Sequence, residues 1–224
     1  MNFKKIMSTA LAGAMALSLS VPAFAAANSD TSLEQNTAIT GTTQAPTIKI
    51  TVPDAGAVTV NPYKMEVTVG SDKKTDQIIS ATQYIENASN VAIKVSAQVT
   101  GTAAGNLAFA TASTQTKAVT TNSVFMYFEM VASDDNSTEP TWATAYDSKS
   151  TTQILVSTKA TKKADMLTLA AGTGTTAAST GAYAAFHLAG DAASTPTSAW
   201  TDADKADVAI AFTFTPTSTS TATP

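Results

Sequence analysis

The chain carries few residues that could do chemistry. Among its 224 residues there is a single histidine, His187, and no cysteine. A serine–histidine–aspartate arrangement could therefore be built only on His187. That residue lies in the apolar run AYAAFHLAG, where the expectation is an ordinary strand side chain. Catalytic zinc takes several histidine or cysteine ligands, so it is not expected. Asp202, Asp204 and Asp207 form D-x-D-x-x-D, a metal-like spacing. An EF-hand loop needs glycine at its sixth place and glutamate at its twelfth, and here Asp207 and Thr213 stand there. Two readings remain: a looser Ca²⁺ site completed by backbone carbonyls, or a solvated acidic turn that keeps a sheet edge soluble. Asp134, Asp135 and Glu139 form a second acidic loop of the same kind. Seventeen acids are present, but no spacing singles out a pair for glycoside hydrolysis. No glycine-rich loop follows a strand and opens a helix. The expectation is a protein that is not an enzyme and holds no cofactor, Ca²⁺ being the one ion to test.

The aromatic candidates are better placed. Trp142, in EPTWATAYD, and Trp200, in TSAWTDAD, are the two tryptophans, 58 positions apart (200 − 142). At the same offset Phe186 falls on Phe128, Tyr183 on Phe125, Leu188 on Met130 and His187 on Glu129. Both stretches read as strand, proline-containing loop, tryptophan, acidic turn, strand. The echo is either a duplicated hairpin or a coincidence. In a duplication each tryptophan would cap an open edge of the core, with its N–H on water or a loop carbonyl. The competing readings are a sugar-stacking platform, with Tyr146 and Asp147 beside Trp142, and a partner contact. Trp142, Tyr146 and Trp200 are thus the candidate ligand or partner contacts.

The elements that must position these residues are strands. Ile48, Ile50 and Val52 alternate with Lys49 and Thr51, and Met65, Val67 and Val69 with Glu66 and Thr68. Val91, Ile93, Val95, Ala97 and Val99 form a longer alternating set, as do Val208, Ile210, Phe212 and Phe214. A period of two places each set on one face of a strand. Residues 123–131 are apolar on both faces, which predicts a central or covered strand. Residues 77–85, 153–157, 166–169 and 182–188 are further strand candidates. Breaker-rich turns separate them at 61–62, 70–72, 86–90, 101–105 and 134–140. No segment shows a helical stripe. The predicted fold is all-β, an Ig-like or jelly-roll antiparallel sandwich over residues 47–216. Residues 26–46 predict a flexible N-terminal arm, 172–181 a mobile glycine/threonine loop, and 217–224 a disordered Thr/Ser/Pro tail.

The N-terminus predicts the compartment. Lys4 and Lys5 precede a short apolar stretch, Pro22 breaks it, and Ala23-Phe24-Ala25 is a small-x-small cleavage signal. Residues 1–25 therefore read as a secretory signal peptide. A chain without cysteine cannot be cross-linked by disulfides or anchored as a lipoprotein, and with secretion this suggests a Gram-positive source. All 13 cationic residues are lysine. After the expected cleavage, eleven lysines face 17 acids, a net of −6. Lacking arginine, the usual bidentate phosphate ligand, and carrying an acidic balance, the chain is not expected to bind nucleic acid or an anionic membrane. The sequons at Asn87 and Asn136 are expected to stay unmodified in a bacterial product.

The stretch YIENASNVAIKVSAQVTG, residues 84–101, reads as strand, Glu-Asn turn and long alternating strand with Lys94 facing out. It resembles the core hairpin of Gram-positive secreted β-sandwich proteins of the TasA and camelysin biofilm-fibre family. The resemblance spans under a tenth of the chain. It implies a jelly-roll-like sandwich that polymerises by donating a strand to its neighbour, and here the donor would be the 26–46 arm. No HExxH-like site is present, so no catalytic residue carries over. There is also no LPxTG sorting signal, and neither tryptophan stands in a Trp-x-Leu wall-binding pattern. The expected function is a structural protein of the cell surface or extracellular matrix, with itself or cell-wall components as partner. The alternative is a carbohydrate-binding adhesin module.

Overall fold

The computed structural model describes residues 47–53, 56–69, 72–112, 122–178, 180–193 and 200–217. The expected signal peptide, the 26–46 arm and residues 218–224 of the tail lie outside them. Every regular element among the described residues is a strand. In chain order they are β1 (Ile50–Thr51), β2 (Val58–Val60), β3 (Val67–Val69), β4 (Asp72–Lys74), β5 (Ile78–Ser80), β6 (Gln83–Asn87) and β7 (Ile93–Ala104). There follow β8 (Leu107–Phe109), β9 (Asn122–Ser133), β10 (Gln153–Leu155), β11 (Thr161–Leu169), β12 (Tyr183–Ala192) and β13 (Lys205–Pro216).

Two sheets carry the fold. The larger runs β1-β6-β12-β9-β10, with β8 lying parallel to β9 along the start of that strand. The smaller is β11-β7-β13, antiparallel throughout. Two ribbons, β2–β5 and β3–β4, complete the set. The alternating residues do what their period requires. Ile93, Val95, Ala97 and Val99 of β7 are buried, and Val208, Ile210, Phe212 and Phe214 of β13 pack against the same core. Val124, Met126, Phe128 and Met130 of β9, with Ala184, Phe186 and Leu188 of β12, form the opposing wall. Phe212 reaches across to Phe128 and Phe186, with ring centroids 6.2 and 5.1 Å away. Side chains from two inner faces interdigitating in one core make a β-sandwich.

Several expectations need correction. Residues 84–101 are not a hairpin. β6 pairs with β1 and β12 in the larger sheet, whereas β7 pairs with β11 and β13 in the smaller, so the 88–92 turn is an arch between layers. The duplicated hairpin fails for a related reason. β9 and β10 do pair, but β12 and β13 lie in different sheets. The stretches that echo each other in sequence, β9 and β12, are instead neighbours, with His187 directly opposite Glu129. The glycine at 101 does not end β7. A Cβ there would sit 2.6 Å from the Phe109 ring, so the glycine makes room for packing, and the turn comes at Gly105, with φ 69°.

The 172–181 loop is tied down: Gly172 N–H donates to Ser89 O at 2.6 Å, Gly174 N–H to Ala88 O at 2.8 Å, and Lys49 Nζ to Thr175 O at 2.8 Å. Asn87 is fully buried, donating to Val91 O and Ala170 O and accepting from Ser89 N–H, so that sequon's amide is already in use. Thr217, expected to open the tail, still donates to Ala92 O at 2.8 Å.

Candidate functional site

β9 explains itself only when its outer face is considered. Phe125, Tyr127 and Glu129 point away from the sandwich core, yet they are 6%, 4% and 3% exposed. The chain between β9 and β10, residues 134–152, folds back over them as a strap. This is why 123–131 is apolar on both faces, as the sequence predicts for a covered strand.

A strap has no ladder to satisfy its backbone, so side chains must do so. The sheet provides a row of polar groups on three adjacent strands: His187 on β12, Glu129 on β9 and Gln153 on β10, in register. Ala143 N–H donates to Glu129 Oε1 at 3.1 Å. Asp147 N–H donates to Gln153 Oε1 at 2.6 Å, and Gln153 Nε2 donates to Ala145 O at 3.3 Å. His187 acts through its ring. Trp142 lies flat on it, with centroids 3.8 Å apart and planes 12° from parallel. Trp142 Nε1 donates to Glu139 Oε1 at 2.6 Å, and Thr82 Oγ1 donates to the same oxygen at 2.7 Å. Tyr146 closes the far end, 5.7 Å from the Phe125 ring and 5.6 Å from Tyr127.

The acidic loop is part of this scaffold. Asp135 accepts from Ser137 N–H at 2.7 Å and Thr138 N–H at 2.6 Å, bonds that hold its carboxyl at a pKa of about 2. Asp134 accepts from Gly181 N–H at 3.0 Å. Burial works against ionisation of Glu139, but the bonds from Trp142 and Thr82 win, and its pKa falls below the ordinary range. His187 is also shifted down. Burial disfavours its charged form and outweighs the pull of Glu129. Its Nε2 stands 3.6 Å from Glu129 Oε2, within ion-pair reach but beyond a normal hydrogen bond, and neither atom has a hydrogen-bond partner among the described residues. Burial, followed by the charges of Glu129 and Asp191, raises the Tyr127 pKa.

Beside the strap lies an open groove of about 1280 Å³. Its lining includes Trp142 and Tyr146 of the strap, Asp76 and residues 78–82, and Tyr127 and Gly190 of the larger sheet. The structure therefore brings two of the three aromatic candidates together. Trp200 is not among the lining residues. It is half-buried against the core, and its Nε1 is buried with no bonding partner among the described residues. Trp200→Ala is expected to cost about 2–3 kcal/mol, below the 3–5 of a fully enclosed ring, with the groove aromatics undisturbed. Urea unfolding and near-UV circular dichroism would check both.

The aspartate candidates are spread out. Asp204 is a loop staple: Oδ1 accepts from Asn106 N–H at 2.7 Å, and Oδ2 from Asn122 Nδ2 at 2.8 Å and Thr201 N–H at 2.9 Å. Asp202 is exposed in the turn, and Asp207 is exposed on β13. Among the described residues no three histidine, aspartate or glutamate groups converge as a metal site. Glu129, Gln153 and Glu139 were not singled out as a positioning set from the sequence. The available signal was one polar residue inside each apolar run, Glu129 in VFMYFEMV and His187 in AYAAFHLAG.

The fold and site define an all-β sandwich whose larger sheet carries a strapped, aromatic-sided groove. No family model, no curated protein and no solved structure matches the chain.

Proposed function

We propose that the chain is a secreted, non-catalytic structural subunit of a bacterial surface or matrix, joined to its neighbours by strand addition at β13. The observation that supports this reading is the contrast between sheet edges. β1 has two residues, and β8 and β10 have three each, too short to template a partner. β11 is interrupted by a bulge between Lys163 and Leu167, with Asp165 at φ 49° and Lys162 exposed. Bulges and lysines are the usual edge defences. β13 has neither along most of its length. It is 12 residues long and regular, and pairs only with β7 among the described residues. β2 approaches it but bonds to β5. From Ala209 to Thr215 its outward residues are alanine and threonine. An added strand would gain main-chain bonds along this edge. The 26–46 arm of a second copy is the proposed donor.

The test is sedimentation velocity with negative-stain imaging of the chain beginning at Ala26. Wild type should form a concentration-dependent ladder or fibres. Ala209→Lys with Ala211→Lys should abolish them while changing stability by less than about 0.5 kcal/mol each, because both sites are exposed. Deleting 26–46 should do the same if the arm is the donor. A wild-type chain that stays monomeric at every concentration overturns the reading.

A second reading, a glycan-binding adhesin module, is favoured by Trp142 and Tyr146 lining one groove. It requires a change in tryptophan fluorescence on adding wall glycans that disappears in Tyr146→Ala.

A further inference from the structure

We propose that His187, Glu129, Trp142 and Glu139 form an acid-released latch that holds the strap, and with it one side of the groove, against the larger sheet. The device is independent of what the groove binds and of whether β13 takes a partner.

The geometry is a clamp with one titratable jaw. Trp142 is the strap's aromatic anchor, and its platform is the His187 ring at 3.8 Å. One residue on, Ala143 N–H is held by Glu129, the cross-strand neighbour of His187. At the ring's edge Glu139 accepts the indole N–H. The neutral imidazole is a flat, weakly polar surface suited to stacking. The imidazolium is a cation whose side chain would be 14% exposed.

The charged and polar groups around it come from each packed element. β9 supplies Glu129, whose Oε2 is 3.6 Å from Nε2. The strap supplies Glu139 and the Trp142 face. Lys74, on β4, acts on Glu139 from beyond. β6 supplies Tyr84, whose hydroxyl donates to Thr138 O of the strap at 3.0 Å, and β10 contributes only the neutral Gln153. The two carboxylates favour the imidazolium, as does a cation–π contact with Trp142. Desolvation opposes it, and at 3.6 Å the contact with Glu129 is too long to repay that cost in full. Desolvation wins, so the folded pKa lies below the ordinary value.

The sign follows. A histidine whose pKa is lowered by its surroundings binds its proton more readily once released. Above the free value, about 6.5, neither state is charged and the latch is at full strength. As pH falls from there through the lowered folded value, the released form takes the proton first and the latch weakens. Acid therefore opens the strap.

The chain has one histidine, so one imidazole resonance reports the jaw directly in the intact protein. The experiment is an NMR titration from about pH 7.5 to about pH 5, together with amide exchange at Ala143 and Asp147 corrected for the intrinsic pH effect. The expected midpoint lies below 6.5, and protection of Ala143 falls about tenfold across it, while Met126 in the core is unchanged. Glu129→Gln, which removes the nearest anion, should move the midpoint lower still. His187→Phe keeps a stacking ring without a proton and should abolish the acid response. A midpoint at or above 6.5, protection that rises in acid, or a response that persists in His187→Phe each overturns the latch. If His187→Phe does not fold, the wild-type midpoint and the sign of the exchange change decide alone.

Discussion

Gly190→Ala is expected to leave little folded protein. Gly190 sits in β12 opposite Met126, with φ 144°, a region that residues with a side chain rarely adopt. A Cβ built there would lie 1.9 Å from the Phe125 carbonyl oxygen and 2.9 Å from the Met126 Cα. Both obstacles are backbone atoms of the central strand, so no side-chain rotation relieves them. Backbone strain of about 1–3 kcal/mol adds to the clash, and a domain has only about 5–15 kcal/mol to lose. The expected cost exceeds about 4 kcal/mol, seen as an unfolded circular dichroism spectrum or a collapsed urea midpoint. A variant within about 1 kcal/mol of wild type would mean that β12 can slide away from β9 cheaply, and its part of the groove lining would go with it.

Phe128→Ala should be the next most damaging change. Phe128 is fully buried on β9 and touches both layers, with Phe186 5.7 Å away beside it and Phe212 6.2 Å away across the core. Truncation removes the ring's transfer energy and leaves a cavity between two sheets that cannot easily collapse. The expected loss is about 3–5 kcal/mol by urea unfolding. Phe128→Leu should recover most of it, because volume rather than aromaticity is at stake. No disulfide supports the sandwich, so the core must absorb such losses alone.

The sequence carried the strands better than it carried their company. Alternation in 93–99 and 208–214 identified β7 and β13 because each buries one face, and the two-sided run at 123–131 foretold a covered strand. Period two, however, says which residues share a face and not which strand lies alongside. The 84–101 stretch and the tryptophan echo both looked like hairpins because strand, turn, strand is also the pattern of an arch between layers. Short strands such as β2, β4 and β8 have too few residues to show a period. The strap was legible only as a breaker-rich polar loop. Its order comes from Glu129, Gln153 and Glu139, whose partners, the Ala143 and Asp147 amides and the Trp142 indole, lie within 14 residues of them but on an irregular loop that has no period to mark them. Trp142 and Tyr146, candidate contacts in the sequence, are four residues apart on one loop, and both line the groove. Trp200, the third candidate, lies half-buried against the core and does not line the groove.

The position of β13 also governs when the molecule becomes whole. Its partner, β7, lies more than 100 residues earlier, with Val208 meeting Gly101 and Phe214 meeting Val95. Contacts of such sequence separation form slowly, over about milliseconds to seconds in sandwich domains. A chain made from its N-terminus presents β7 with one side vacant until β13 arrives. Speed of closure, rather than strength of the finished ladder, then decides whether that vacancy is filled from within or by another chain.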